Sequence, residues 1–305
     1  VIDGTGMPAF HADVAVKDGK IVMSPDSGQG AKECLDAQGL VLSPGFIDAH
    51  CHSDETLGNA ECNLSRSSQG ITTEATGQCG ESVFPVSEDP EKQQLFIGYL
   101  PSYFKSKECG FREEFVHFTT FEKYLQYAKK RKCTANYSML TGHGALRIAA
   151  MGFANRKPTK DEMSHMKSLL RESMEHGSRG LSSGLLYAPS CYADEDELVE
   201  LCKVVAEYDG FYATHLRNEA GKFVEAVQEA INIAERSGCR LNLSHHKVCG
   251  SEFWGATEKT IAMLEDAKAR GIPVYTDVYP YLATGNYLNI CLTSDFFSQD
   301  MDAMA

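Results

Sequence analysis

Gly45-Phe46-Ile47-Asp48-Ala49-His50-Cys51-His52-Ser53-Asp54 is the stretch on which the reading of the chain turns. The run from Val41 to Ile47 is mostly apolar and partly β-branched, as a buried strand requires. Two histidines spaced i, i+2 follow at its end. Side chains alternate along a strand, so His50 and His52 share one side, with Asp48 behind them and Cys51 opposite. Two neutral imidazoles at one strand end make half of a transition-metal site. Two stacked histidines on a sheet surface fit the same pattern about equally well. The rest of the chain tips the balance.

From Ser43 onward, strand-like and helix-like segments alternate. The second strand is Gly70–Thr76, ending in Gly77-Gln78-Cys79-Gly80. A connection rich in aromatics (Phe96, Tyr99, Tyr103, Phe104, Phe111, Phe115) leads to a helix over 120–130 and a third strand over 135–140. Thr159 and Glu162 form a capping-box signature for a helix that stops at Gly177, and Asp194 with Glu197 opens another. Further strands are expected over 179–185, 211–215, 240–245 and 272–279, with helices between them. Strands joined by helical crossovers define a parallel β/α architecture, either a (β/α)8 barrel or an open doubly wound sheet. The barrel is favoured because residues with chemical capability stand at several successive strand ends, which a barrel gathers at one mouth.

Residues 1–43 differ, with a hairpin over 13–22 turning at Asp18-Gly19 and a glycine-rich break at 28–30. The expected organisation is a small β unit over 1–43, too short to be stable by itself, and an incomplete barrel over 44–305. The chain ends in the polar stretch Ser298–Ala305 before an eighth strand, and it reads as a fragment.

A net charge of −13 argues against nucleic acid or an anionic membrane as partner. No apolar run is long enough to span a bilayer and no signal-peptide pattern opens the chain. The eleven cysteines lack CxxC pairs, which suits a reducing, cytoplasmic compartment in which most of them act as small buried hydrophobes. Cys34, Cys62, Cys109, Cys133, Cys202 and Cys239 carry that reading.

Cys79 stands apart because glycines flank it at a strand end. His215 and His245 close the fifth and sixth strands. Together with His50 and His52 they offer a mixed sulfur and nitrogen donor set that fits zinc. A cation follows each later histidine by two residues, Arg217 after His215 and Lys247 after His245. Period two keeps these cations on the histidine side, where they suit an anionic small-molecule substrate such as a carboxylate. Tyr279 and Tyr281 add phenolic hydroxyls, His246 points away, and His143 suits a structural or supporting role.

The ordered set PGFIDAHCH, GQCGES, GHGALR, SSGLLYAPSCYA, THLRNE and SHHK resembles the N-acyl-D-amino-acid deacylase (D-aminoacylase) branch of the amidohydrolase superfamily. The resemblance covers nearly the whole chain. It implies a TIM-like (β/α)8 metal-dependent hydrolase barrel with a small N-terminal β-sandwich portion, here truncated before strand eight. It also implies zinc-dependent hydrolysis of N-acyl-D-amino acids to a carboxylate and a D-amino acid. His50 and His52 would hold a weaker metal position, and Cys79, His215 and His245 one tightly bound zinc. Many relatives bridge two metals with a carboxylated lysine on strand four. Residues 179–185 contain no lysine, which leaves Cys79 as its substitute. The family's aspartate base belongs to strand eight, so the catalytic residue stays unassigned; Asp277 reads as structural. Two rival readings are hydrolysis of another amide, such as a cyclic imide or unusual dipeptide, and a non-catalytic barrel scaffold.

Overall fold

The computed structural model describes residues 1–23, 30–54, 56–57, 60–100 and 113–285. Gly28, Tyr103, Phe104, Cys109, Phe111 and the closing stretch 298–305 lie outside the described residues. The chain divides into two compact units, Val1–Phe46 and Ile47–Ala305.

In the first unit, β1 (Val14–Lys17) and β2 (Lys20–Met23) form the expected antiparallel hairpin, in register from Val14↔Met23 to Lys17↔Lys20. Its turn needs two left-handed residues, and Asp18 (φ 53°) and Gly19 (φ 72°) supply them. These are the strands of this unit among the described residues, apart from its last residue, Phe46.

The second unit carries β3 (Phe46–Asp48), β4 (Ile71–Thr76), β5 (Asn136–Met139), β6 (Thr141–Gly142), β7 (Gly180–Gly184), β8 (Phe211–His215), β9 (Arg240–Leu243) and β10 (Val274–Thr276). Their order in space follows their order in the chain: β3-β4-β5 in one sheet and β6-β7-β8-β9-β10 in the next. Every register from β6 to β10 is parallel, as is that of β4 with β5. β5 and β6 are one strand broken at Leu140, whose N–H donates to the Thr76 carbonyl. Arg179 N–H, at the start of β7, donates to the Met139 carbonyl and so links the two sheets. Among the described residues the order never reverses, so neither sheet shows a switch point of the doubly wound kind.

Helices stand between the strands: α1 (Ala60–Ser67) precedes β4 and α2 (Pro90–Tyr99) follows it. Thr120 opens α3 (Phe121–Ala128) by accepting from Lys123 N–H, and α4 (His143–Met151) comes after it. Thr159 and Glu162 close the capping box of α5 (Lys160–Glu175). Asp194 caps α6 (Glu195–Glu207), and left-handed Gly238 ends α7 (Phe223–Ser237). One core joins α5, α6 and α7 to β7, β8 and β9 through Met166, Leu170, Leu198, Val205, Ile231 and Leu241. A second, aromatic core gathers Phe84, Phe96, Phe115, Phe118, Phe121 and Tyr124.

Two expectations are corrected. The run Val41–Ile47 is not a buried strand: only Phe46–Asp48 pairs, and Val41, Phe46 and Ile47 are exposed, because β3 is an edge with a neighbour on the β4 side alone among the described residues. Cys34 and Cys133 are exposed rather than buried, since both lie in irregular segments outside the two cores.

Candidate metal centre

The ends of β3, β4, β8 and β9 bring five donor side chains together. His50 and His52 follow β3, Cys79 lies in the turn after β4, His215 is the last residue of β8, and His245 lies just beyond β9. His50, His52 and Cys79 present ligand atoms within 4.8 Å of one another, and so do Cys79, His215 and His245. The thiol belongs to both groups. Its Sγ is 3.4 Å from His50 Nε2 and 3.6 Å from His245 Nε2.

Behind the donors stands a layer of groups that orient them. Asp277 accepts from the His245 N–H at 2.6 Å and from Asn242 Nδ2, and lies 3.3 Å from His50 Nδ1. Glu219 is 3.0 Å from His245 Nδ1 and binds Lys247 Nζ through both oxygens at 2.7 Å. Tyr187 Oη is 3.4 Å from His215 Nδ1, whereas Glu81, 3.8 Å from His52 Nδ1, is too far for a hydrogen bond. With Nδ1 engaged in this way, His50 and His245 direct Nε2 at the thiol, the outer-layer arrangement that fixes a metal-binding imidazole.

Burial controls the protonation of the donors. It presses His52 and His215 down to about 3, with neighbouring imidazoles adding to the effect, so both are neutral and able to bind a metal. Burial holds the Cys79 thiol well above its usual range, helped by Glu81 and Asp277. Glu81 is pushed up to about 8, by burial and then by Asp54. Burial also opposes ionisation of Glu219, yet the His245 hydrogen bond and the charge of Lys247 prevail and bring it to about 2.

A divalent transition ion fits this set. His52 Nδ1 and His215 Nε2 are buried without a hydrogen-bond partner, an expense that a bound cation would remove. One thiol and four imidazoles are donors of borderline softness, the kind zinc takes. A cation at the thiol would also replace its proton.

The donors open onto a cavity of about 430 Å³, also lined by Glu81, Tyr187, Lys247, Tyr279, Thr284 and Gly285. Lys247 and Tyr279 therefore stand where the sequence places them, and the Tyr279 hydroxyl is buried without a partner. Arg217 does not line this cavity. Its guanidinium is spent on Glu229 (2.8–3.1 Å) and on the carbonyls of Cys191 and Ala193 (2.9 Å each). Tyr281 is exposed and outside the lining. His143, fully buried between Ser190 and Glu197, is a packing residue, and His246 bonds Thr260. Sequence reasoning passed over Glu81, Tyr187 and Glu219, although each falls inside a quoted motif: GQCGES, SSGLLYAPSCYA and THLRNE.

Parallel strands in chain order, with possible metal ligands gathered at their C-terminal ends, are the arrangement that a β/α barrel uses to build a site at one mouth. The chain belongs to the amidohydrolase family, whose model matches residues 33–301. It is 37% identical over 292 residues to the N-acyl-D-aspartate deacylase of Alcaligenes xylosoxydans xylosoxydans, which covers 95% of this chain and 56% of that protein. A crystal structure of D-aminoacylase superposes with a TM-score of 0.80 at 33% identity, covering 92% of this chain and 57% of that one. The N-acyl-D-glutamate deacylase of Bordetella bronchiseptica, solved with zinc and a phosphonate inhibitor, gives the same TM-score at 33% identity, covering 92% and 56%. The chain spans just over half the length of these three relatives.

Proposed function

We propose that the protein hydrolyses the amide bond of N-acyl-D-amino acids, releasing a carboxylate and a D-amino acid, with zinc at the Cys79 centre. The observation that carries this reading is the convergence of five donor side chains on one cavity, two of them with orphaned ring nitrogens. The likeness to deacylases acting on N-acyl-D-aspartate and N-acyl-D-glutamate supports the substrate class.

In this reading Cys79, His215 and His245 hold the tight zinc, and His50 and His52 complete a second, weaker position. Zinc held there supplies Lewis-acid polarisation of the amide carbonyl and acidification of water. The chain's own residues do the rest. Asp277 and Glu219 keep Nε2 of His50 and His245 facing inward. Lys247, although paired with Glu219, presents the cavity's positive charge to the substrate carboxylate. The free Tyr279 hydroxyl donates to the same group or to the acyl oxygen. Asp277 is committed to His50, Asn242 and the His245 N–H, and so serves to position ligands rather than as base.

The test is a panel of N-acetyl-D- and N-acetyl-L-amino acids given to the full-length protein with and without zinc. Turnover of D substrates that stops on chelation and returns with zinc is expected. Equal turnover of both enantiomers, or turnover indifferent to chelation, would overturn the proposal.

A further inference from the structure

Cys79 has a backbone conformation that a cysteine does not choose. Its φ is 55°, in the left-handed region, between Gly77 at 70° and Gly80 at 79°. Something outside the turn has to hold it there. The turn lies directly on neighbouring backbone: a Cβ on Gly77 would fall 2.2 Å from the Leu140 carbonyl oxygen, and one on Gly184 would fall 2.2 Å from that of Cys79. β7 therefore has to be small where the turn touches it, and its sequence is Gly-Leu-Ser-Ser-Gly, buried throughout.

One side chain of β7 reaches both ends of the turn. Ser182, fully buried, accepts from the Gly80 N–H at 3.0 Å and donates to the Gly77 carbonyl at 2.5 Å. The two backbone groups flank Cys79, so a single hydroxyl closes the loop that aims the thiol. Its neighbour Ser183 points to the other face, with its hydroxyl at 2.6 Å from Tyr212 Oη and 2.8 Å from Thr214 Oγ1.

We infer that Ser182 is a positioning residue for the metal centre, a clasp that fixes the Cys79 turn on β7 in the geometry its thiol needs as a ligand. The inference rests on the metal-centre reading above and assigns β7 a part in it. The strand supplies no ligand; it supplies the seat and the clasp of the ligand from β4. Any side chain at position 184, even a methyl, and the cysteine turn exclude each other, since its Cβ would fall on the Cys79 carbonyl.

The experiment measures zinc affinity by competition with a chromophoric chelator, in the full-length protein and its Ser182→Ala and Ser183→Ala variants. Cobalt(II) is then substituted, because its thiolate charge-transfer absorption reports the cysteine–metal bond directly. Groups that orient ligands are worth about tenfold to a hundredfold in metal affinity. Ser182→Ala should lose that much and show a diminished cobalt–thiolate band. Ser183→Ala, which gives up two buried hydrogen bonds on the same strand, should keep wild-type affinity. Undiminished affinity in folded Ser182→Ala, or an equal loss in Ser183→Ala, would overturn the clasp. If Ser182→Ala does not fold, Ser182→Cys, which fills the space with a weaker donor, is judged by the same criterion. A wild-type protein that binds no zinc would bring down the metal-centre reading and the clasp with it, whereas zinc binding indifferent to position 182 would bring down the clasp alone.

Discussion

Replacing Glu197 by Gln removes one charge from a cluster that water does not reach. His143 and Arg147, on the helix His143–Met151, and Glu197, on α6, are all buried. Glu197 lies 2.9 Å from His143 Nε2 and accepts from Arg147 at 2.6 Å, while Arg147 also donates to the carbonyls of Ala154 and Arg156. Burial opposes ionisation of Glu197, but His143 and Arg147 outweigh it and hold the carboxyl below its usual range. Glu197→Gln keeps the shape and strands the Arg147 guanidinium in a low-dielectric site. Breaking a buried pair from one side costs about 3–5 kcal/mol, so the melting temperature should fall by roughly 6–10 °C. Urea unfolding and calorimetry of the wild type, Glu197→Gln, Arg147→Met and the double variant measure this directly. The double variant should recover part of the loss, because it no longer buries an unpaired charge. A single-variant loss below about 1 kcal/mol, or strictly additive losses, would refute the reasoning.

Metal analysis should find zinc depleted in Cys79→Ala and retained in Cys202→Ala, since Cys202 is buried in the α6 core; equal zinc in the two would remove Cys79 from the ligand set. Arg217→Met should lower stability by roughly 1–3 kcal/mol, through lost hydrogen bonds to Glu229 and the 191–193 segment at a half-exposed site. Its zinc content should be unchanged, and a variant that unfolds normally but loses zinc would contradict the placement. Acid should weaken the His143 site. Burial holds His143 below its ordinary 6.5, so the unfolded chain binds more protons than the fold as pH drops beneath that value. The stability gap between wild type and His143→Asn should therefore narrow from pH 7.5 to 5.5, and a constant gap in urea midpoints would count against it.

What the sequence determined by itself was local periodicity and ligand chemistry. The alternation of strand and helix, the caps at Thr120, Thr159 and Asp194, and the five donors at strand ends all follow from residues near one another in the chain. The choice between the two cations did not. Arg217 and Lys247 each stand two residues past a histidine, but β8 ends at His215 and β9 at Leu243, so period two no longer governs where those side chains go. Arg217 turned to Glu229 and two carbonyls, whereas Lys247 stayed at the cavity with Glu219. The same holds for the groups behind the ligands. Asp277 reaches His50 across 227 positions of sequence, and Ser182 reaches Gly80 across 102. Only the tertiary structure decides such pairings, because a buried hydrogen bond depends on which groups share a space without water, and separation along the chain does not record that.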